Sequence, residues 1–103
     1  MPEVAFSSLC ASAEFLQTDA ARTFLDAYGK ARRWVREAPA SEIAGREAAF
    51  FPGIATDALT AAIRDYQLLG CWEGGVEIPP DLYEQALTVF EQAGEIRARH
   101  PFG

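Results

Sequence analysis

The residues best suited to covalent chemistry are two cysteines, Cys10 and Cys71, and a single histidine, His100. A nucleophilic site needs a serine or cysteine beside a base, and a third group that orients the base. His100 lies close to the C-terminal end of the sequence, where chains are usually loosely held. Pairing it with Cys10 requires both chain ends to meet, and nothing in the sequence demands that. We therefore expect no catalytic residues and no enzyme.

Metal and cofactor chemistry also lacks a recognisable pattern. The two cysteines are far apart in the sequence and have no CxxC spacing. Together with the single histidine they provide too few ligands for a zinc site. The phosphate-binding patterns GxGxxG and GxxxxGK[ST] do not occur, and Gly74-Gly75 indicates a turn. We expect no metal and no cofactor. A disulfide between Cys10 and Cys71 is an alternative that the sequence does not exclude, but free, half-buried thiols are favoured.

The acidic side chains do not predict acid–base catalysis either. Carboxylates close in sequence, such as Glu42 with Glu47 and Asp81 with Glu84, are expected by chance in so acidic a chain. General acid–base chemistry needs burial that shifts a pKa, and nothing in the sequence indicates it. Solvated helix caps and helix faces are the favoured interpretation.

The charge balance argues against nucleic-acid binding. The chain has 15 acidic and 9 basic residues and a net charge of -6, and an acidic surface repels phosphate backbones. One basic cluster stands out, with Lys30, Arg32, Arg33 and Arg36 inside a helical pattern. We interpret it as a solvated helix face, and a phosphate site is the less favoured alternative.

The spacing of apolar residues predicts a mainly α fold with about five helices and a short N-terminal strand. The length, 103 residues, suits a single helical domain over residues 1–103. Ser12 and either Thr18 or Asp19 are the expected N-caps of the first two helices, Thr56-Asp57 is expected to cap the fourth, and Gly70 and Gly94 are suited to helix ends. The predicted segments are 12–16, about 18–37, about 40–51, about 57–70, and about 80–93.

The N-terminal strand is predicted from the small and apolar residues 4–9. No second strong strand is evident to pair with it, so we expect a missing partner, which is either another subunit or a further part of the same protein. No apolar run approaches the ~20 residues that a membrane span needs. Met1-Pro2-Glu3 does not begin an export signal, which needs a positive region followed by an apolar one.

Three aromatic residues, Tyr66, Trp72 and Tyr83, are candidates for a partner or lobe-packing surface, because such rings are enriched at interfaces. The alternative for them is core packing, which is the favoured interpretation of most aromatic residues here.

The order of several short segments resembles one family. The chain resembles the C-terminal part of the periplasmic substrate-binding proteins of ABC importers for nitrate, sulfonates, taurine or thiamine-pyrimidine precursors. The resemblance covers nearly the whole chain. It rests on LCASAEFL at 9–16, KARRW at 30–34, AP at 38–39, FFP at 50–52, YQLLGCW at 66–72, VEI at 76–78, AGEI at 93–96 and RHPF at 99–102.

The resemblance implies a two-lobed α/β protein that closes around a small ligand. This chain would then be the C-terminal portion of a protein about three times as long. Its parent would be periplasmic or extracytoplasmic, would bind a small anionic organic molecule, and would pass it to a membrane permease. Ser7 and Ser8 are the implied ligand-binding candidates, and ordinary strand-end serines are the favoured alternative. We expect the isolated chain to self-associate as a homo-oligomer and to bind no nucleic acid.

A different class of function stays open beside this one. The same aromatic stripes suit a stand-alone helical module for protein–protein interaction, which would need no further lobe. In that case residues 4–9 would be helical or disordered.

Overall fold

The computed structural model describes Ala5 and residues 7–103. Within that part of the chain it contains five α-helices and a 3₁₀ turn, Ala48–Phe50, so the prediction of a mainly α fold is confirmed. The helices are α1 (Ala13–Leu16), α2 (Asp19–Glu37), α3 (Ala40–Glu47), α4 (Thr56–Leu68) and α5 (Pro80–Gln92).

The chain divides into two compact units. One is Thr18–Val76, which carries α2, α3 and α4. The other combines Met1–Gln17 with Glu77–Gly103 and carries α1 and α5. A single domain over residues 1–103 stays a prediction, because a division into compact units does not decide whether the units fold together.

Hydroxyl side chains begin the first two helices, as the sequence predicts. The Ser12 hydroxyl accepts a hydrogen bond from the Phe15 amide at 3.1 Å, and the Thr18 hydroxyl accepts one from the Ala21 amide at 3.2 Å. Each oxygen satisfies an amide that has no partner within its helix. The two caps set where α1 and α2 begin.

The bounds of the next two helices differ from the prediction. The α-helix expected over 40–51 ends at Glu47, and the 3₁₀ turn Ala48–Phe50 follows it directly. A 3₁₀ turn is wound more tightly than an α-helix. Thr56 does not cap α4. It is the first helical residue, and Ala55 occupies the cap position without a side-chain hydrogen bond. Gly70, with φ of 72°, follows α4 in the left-handed conformation expected of a helix end.

The core of the Thr18–Val76 unit lies between α3 and α4. Ile43 is the largest fully buried side chain, at 1% exposure, and Ala44 is 0% exposed. Alanine at these contacts lets two helix backbones approach closely, while the branched residues fill the space between them. The buried cluster consists of Ala40, Ile43, Ala44, Leu59 and Ile63, with Trp34, Val35, Ala38 and Trp72 packed against it.

The predicted N-terminal strand is not formed by the described residues. Val4 and Phe6 lie outside the described residues, while Ala5 and residues 7–9 adopt no strand. The Ala5 amide donates a hydrogen bond of 3.4 Å to the Leu82 carbonyl. A strand needs a ladder of such bonds to a neighbouring strand, and the described part of the chain provides no strand as a partner.

None of the helices in the described part of the chain is both long enough and apolar enough to cross a bilayer. The longest, α2, has 19 residues, but charged residues such as Asp26, Lys30 and Arg33 interrupt it.

Candidate functional site

A groove lies between the second half of α2 and the loop that follows α4, within the Thr18–Val76 unit. It is an open groove with a volume of about 580 Å³, and four cationic side chains line it. Gly74 and Gly75 line it from the loop. The cationic residues are Lys30, Arg32, Arg33 and Arg36.

Helical spacing and one turn build this groove. Residues three or four apart on a helix lie on the same face, so Lys30 is beside Arg33, and Arg32 is beside Arg36. Gly74 has φ of 78°, a conformation that glycine adopts without steric cost. The turn brings Val76 close to α2, where a Cβ on Gly29 would lie 3.7 Å from Cγ1 of Val76.

Two arginines hold the loop against α2. Nη2 of Arg32 donates a hydrogen bond of 3.0 Å to the Glu73 carbonyl. Nη1 of Arg36 lies 3.8 Å from Oε2 of Glu73, and its Nη2 lies 2.8 Å from Oε1 of Glu37. The hydrogen bond to Glu37 is the main reason that the pKa of Arg36 is raised. Arg36 is therefore largely engaged by protein carboxylates.

The other cations of the groove keep hydrogen-bonding capacity. Nε of Arg32 is buried and has no hydrogen-bond partner, and its guanidinium lies 5.9 Å from the centre of the Tyr28 ring. Lys30 and Arg33 are exposed, and neither forms an ion pair within the described part of the chain. Asp26 is the acidic residue that lines the groove. The groove is therefore locally positive in an acidic protein.

Two of the three aromatic candidates lie together. The rings of Tyr66 and Trp72 meet edge to face, with centres 5.7 Å apart and planes at 82°. Tyr66 is 53% exposed, while Trp72 packs against the α3–α4 core. The edge-to-face contact holds Tyr66 in a defined orientation at the surface.

The other candidates belong to the unit that carries α5. The Tyr83 hydroxyl donates to the His100 carbonyl at 3.0 Å, and its ring meets Phe102 edge to face at 5.4 Å. Tyr83 therefore contacts the C-terminal segment of its own chain. Ser7 and Ser8 are both exposed, which leaves their hydroxyls accessible.

The residues suited to covalent or metal chemistry do not assemble into a site. Cys10 and Cys71 are free and exposed, not half-buried as expected. Nδ1 of His100 contacts the Pro101 carbonyl at 3.1 Å. In the described ranges, no group of three or more His, Cys, Asp or Glu residues is arranged to hold a metal ion.

The groove is the feature that sequence reasoning missed. The sequence predicts a solvated helix face for the basic cluster, because nothing local indicates that residues 73–76 return to it. The available signal was Gly74-Gly75, which predicts a sharp turn. The segment that this turn packs against lies about forty residues earlier, as the hydrogen bond from Arg32 to the Glu73 carbonyl shows. Local sequence patterns do not predict contacts over such a separation.

No protein-family model matches the chain, and no curated protein or solved structure gives a significant match. The resemblance to importer binding proteins therefore rests on the order of sequence motifs alone.

Proposed function

We propose that this chain is the C-terminal part of the solute-binding component of an ABC-type importer. The observation that carries the proposal is the ordered series of motifs from residue 9 to residue 102.

Exposed apolar side chains support the same proposal. Phe50 is 79% exposed, Leu68 is 80% exposed and Leu69 is 75% exposed. Single exposed apolar residues are ordinary, but the adjacent Leu68 and Leu69 form an exposed apolar surface that suits contact with another element. In the proposed protein, such helix faces pack on the remainder of a lobe.

The proposed mechanism is capture of a small anionic organic ligand by closure of two lobes. Closure buries the ligand in a cleft, where a few polar groups fix its orientation. Ser7 and Ser8 are the proposed contributors from this chain, because their hydroxyls can donate hydrogen bonds to an anion. The closed protein then delivers its ligand to a membrane permease from the periplasmic side.

A stand-alone interaction module is the second candidate. The half-exposed ring of Tyr66, held by Trp72, favours it, because tyrosine is frequent at the energetic centre of interfaces. On this hypothesis the partner is another protein and no small ligand is bound.

Calorimetric titration of the complete encoded protein separates the two candidates. The probes are nitrate, taurine, an alkanesulfonate and an aminopyrimidine. The importer hypothesis predicts saturable binding of one of them, and replacing Ser7 and Ser8 together with alanine weakens it by about tenfold. The matched control is Ser41→Ala, an exposed serine on α3, which leaves the affinity unchanged. Absence of binding to every probe would contradict the importer hypothesis.

A further inference from the structure

We propose that the groove between α2 and the Gly74–Gly75 loop is a binding site for a small oxyanion of the phosphate or sulfonate type. It uses different residues from the ligand-binding candidates Ser7 and Ser8. The inference does not depend on the importer hypothesis, because it rests on the geometry of a single compact unit.

Charge is the first argument. Four of the nine basic residues of the chain line this groove. Bringing like charges together costs free energy unless an opposite charge is near. Glu73 and Glu37 lie beside Arg36, and Asp26 also lines the groove, but Lys30 and Arg33 form no ion pair in the described part of the chain. A bound anion would supply the missing charge.

Unsatisfied donors are the second argument. Lys30 and Arg33 are exposed, and no carboxylate in the described part of the chain pairs with their charged donors. The backbone amides of Gly74 and Gly75 make no hydrogen bond within the described residues. Consecutive backbone N–H groups in a turn readily bind anions. Guanidinium and amide donors together match the several acceptor oxygens of a phosphate or sulfonate.

The overall charge of the chain restricts the ligand. The open groove, with a volume of about 580 Å³, has room for a small molecule. The net charge of -6 opposes the approach of a polyanion such as a nucleic acid. The groove is open, so the interaction is screened by salt, and we expect millimolar affinity at physiological ionic strength.

An NMR titration of the intact chain with inorganic phosphate, and separately with methanesulfonate, tests this site. At low ionic strength we expect saturable shifts of the Gly74 and Gly75 amide signals. Lys30→Gln and Arg33→Gln each weaken binding by about fivefold to tenfold, because each removes a charged donor. Both side chains are exposed, so these variants should fold normally.

The matched control is Arg64→Gln, an exposed arginine on α4 that does not line the groove. It changes the net charge equally and should leave the affinity unchanged. Equal weakening by Arg64→Gln would overturn the proposal, since it would indicate a response to net charge alone. Shifts that grow linearly without saturation would also overturn it, as would binding of single-stranded DNA without any response to phosphate.

Discussion

Gln67 on α4 donates a side-chain hydrogen bond from Nε2 to the backbone carbonyl of Ala38, 2.9 Å away. The same nitrogen donates to the Val35 carbonyl, also at 2.9 Å. Carbonyls in the last turn of a helix have no partner within that helix. Gln67 therefore completes the C-terminal end of α2 and ties it to α4.

Replacing Gln67 with glutamate should destabilise the chain by about 1–3 kcal/mol, because a carboxylate cannot donate to the two carbonyls. Urea unfolding, followed by tryptophan fluorescence, measures this loss. Gln85→Glu on the exposed side of α5 is the matched control and introduces the same charge. Similar unfolding midpoints for the two variants would contradict the role given to Gln67.

Ile43→Val tests the core between α3 and α4. Removing one methylene from this buried position should cost about 0.5–1.5 kcal/mol, because packing contacts are lost and a small cavity remains. The substitution is mild enough to keep a small domain folded. Thermal unfolding should show a lower midpoint, whereas Ile54→Val, at a residue that is 50% exposed, should change it little.

Self-association should depend on the exposed leucines at the end of α4. Sedimentation velocity over increasing protein concentration should show oligomers, and Leu69→Lys should shift the population towards monomer because it places a charge on an apolar contact surface. Ala61→Lys, on an exposed part of the same helix, controls for the added charge. A strictly monomeric chain at every concentration would count against this prediction.

Arg99 should hold the C-terminal segment on α5. Its Nη2 lies 2.7 Å from Oε2 of Glu91, and its Nη1 lies 3.3 Å from Oε2 of Glu84. Arg99→Gln removes both ion pairs, so amides after residue 95 should exchange hydrogen faster. Arg97→Gln, an exposed arginine without an ion pair in the described residues, is the control. Equal exchange in both variants would show that Arg99 is not what holds the segment.

The hydrogen bonds of Arg99 also determine how its protection of the C-terminal segment depends on pH. The hydrogen bond to Glu91 is the main reason that the pKa of Arg99 is raised. A cation with a raised pKa contributes stability at every pH below its ordinary value and loses it only above that value. The protection that Arg99 gives should therefore be equal at pH 6 and pH 8, as hydrogen exchange of wild type and Arg99→Gln would show.

Local signals in the sequence predict where most helices begin and end. Ser12 and Thr18 cap α1 and α2 because a hydroxyl near a helix start has few better partners than the free amides. Thr56 carries the same signal but lies inside α4. A cap residue and a first-turn residue differ only in backbone angles, so the residue type alone does not separate them.

Contacts between distant segments were not predictable from the sequence. The Gln67 bonds to residues 35 and 38 and the Arg32 bond to Glu73 depend on how three helices and a loop pack. Periodicity identifies which face of a helix is buried but not which segment covers it. For that reason the sequence shows the basic cluster on α2 but not the groove beside it.

The sequence of the source DNA upstream of the Met1 codon tests the importer hypothesis most directly. The hypothesis predicts an open reading frame that continues upstream for about two hundred codons and begins with an export signal. A stop codon and a ribosome-binding site directly before Met1 would contradict it and would favour the stand-alone interaction module.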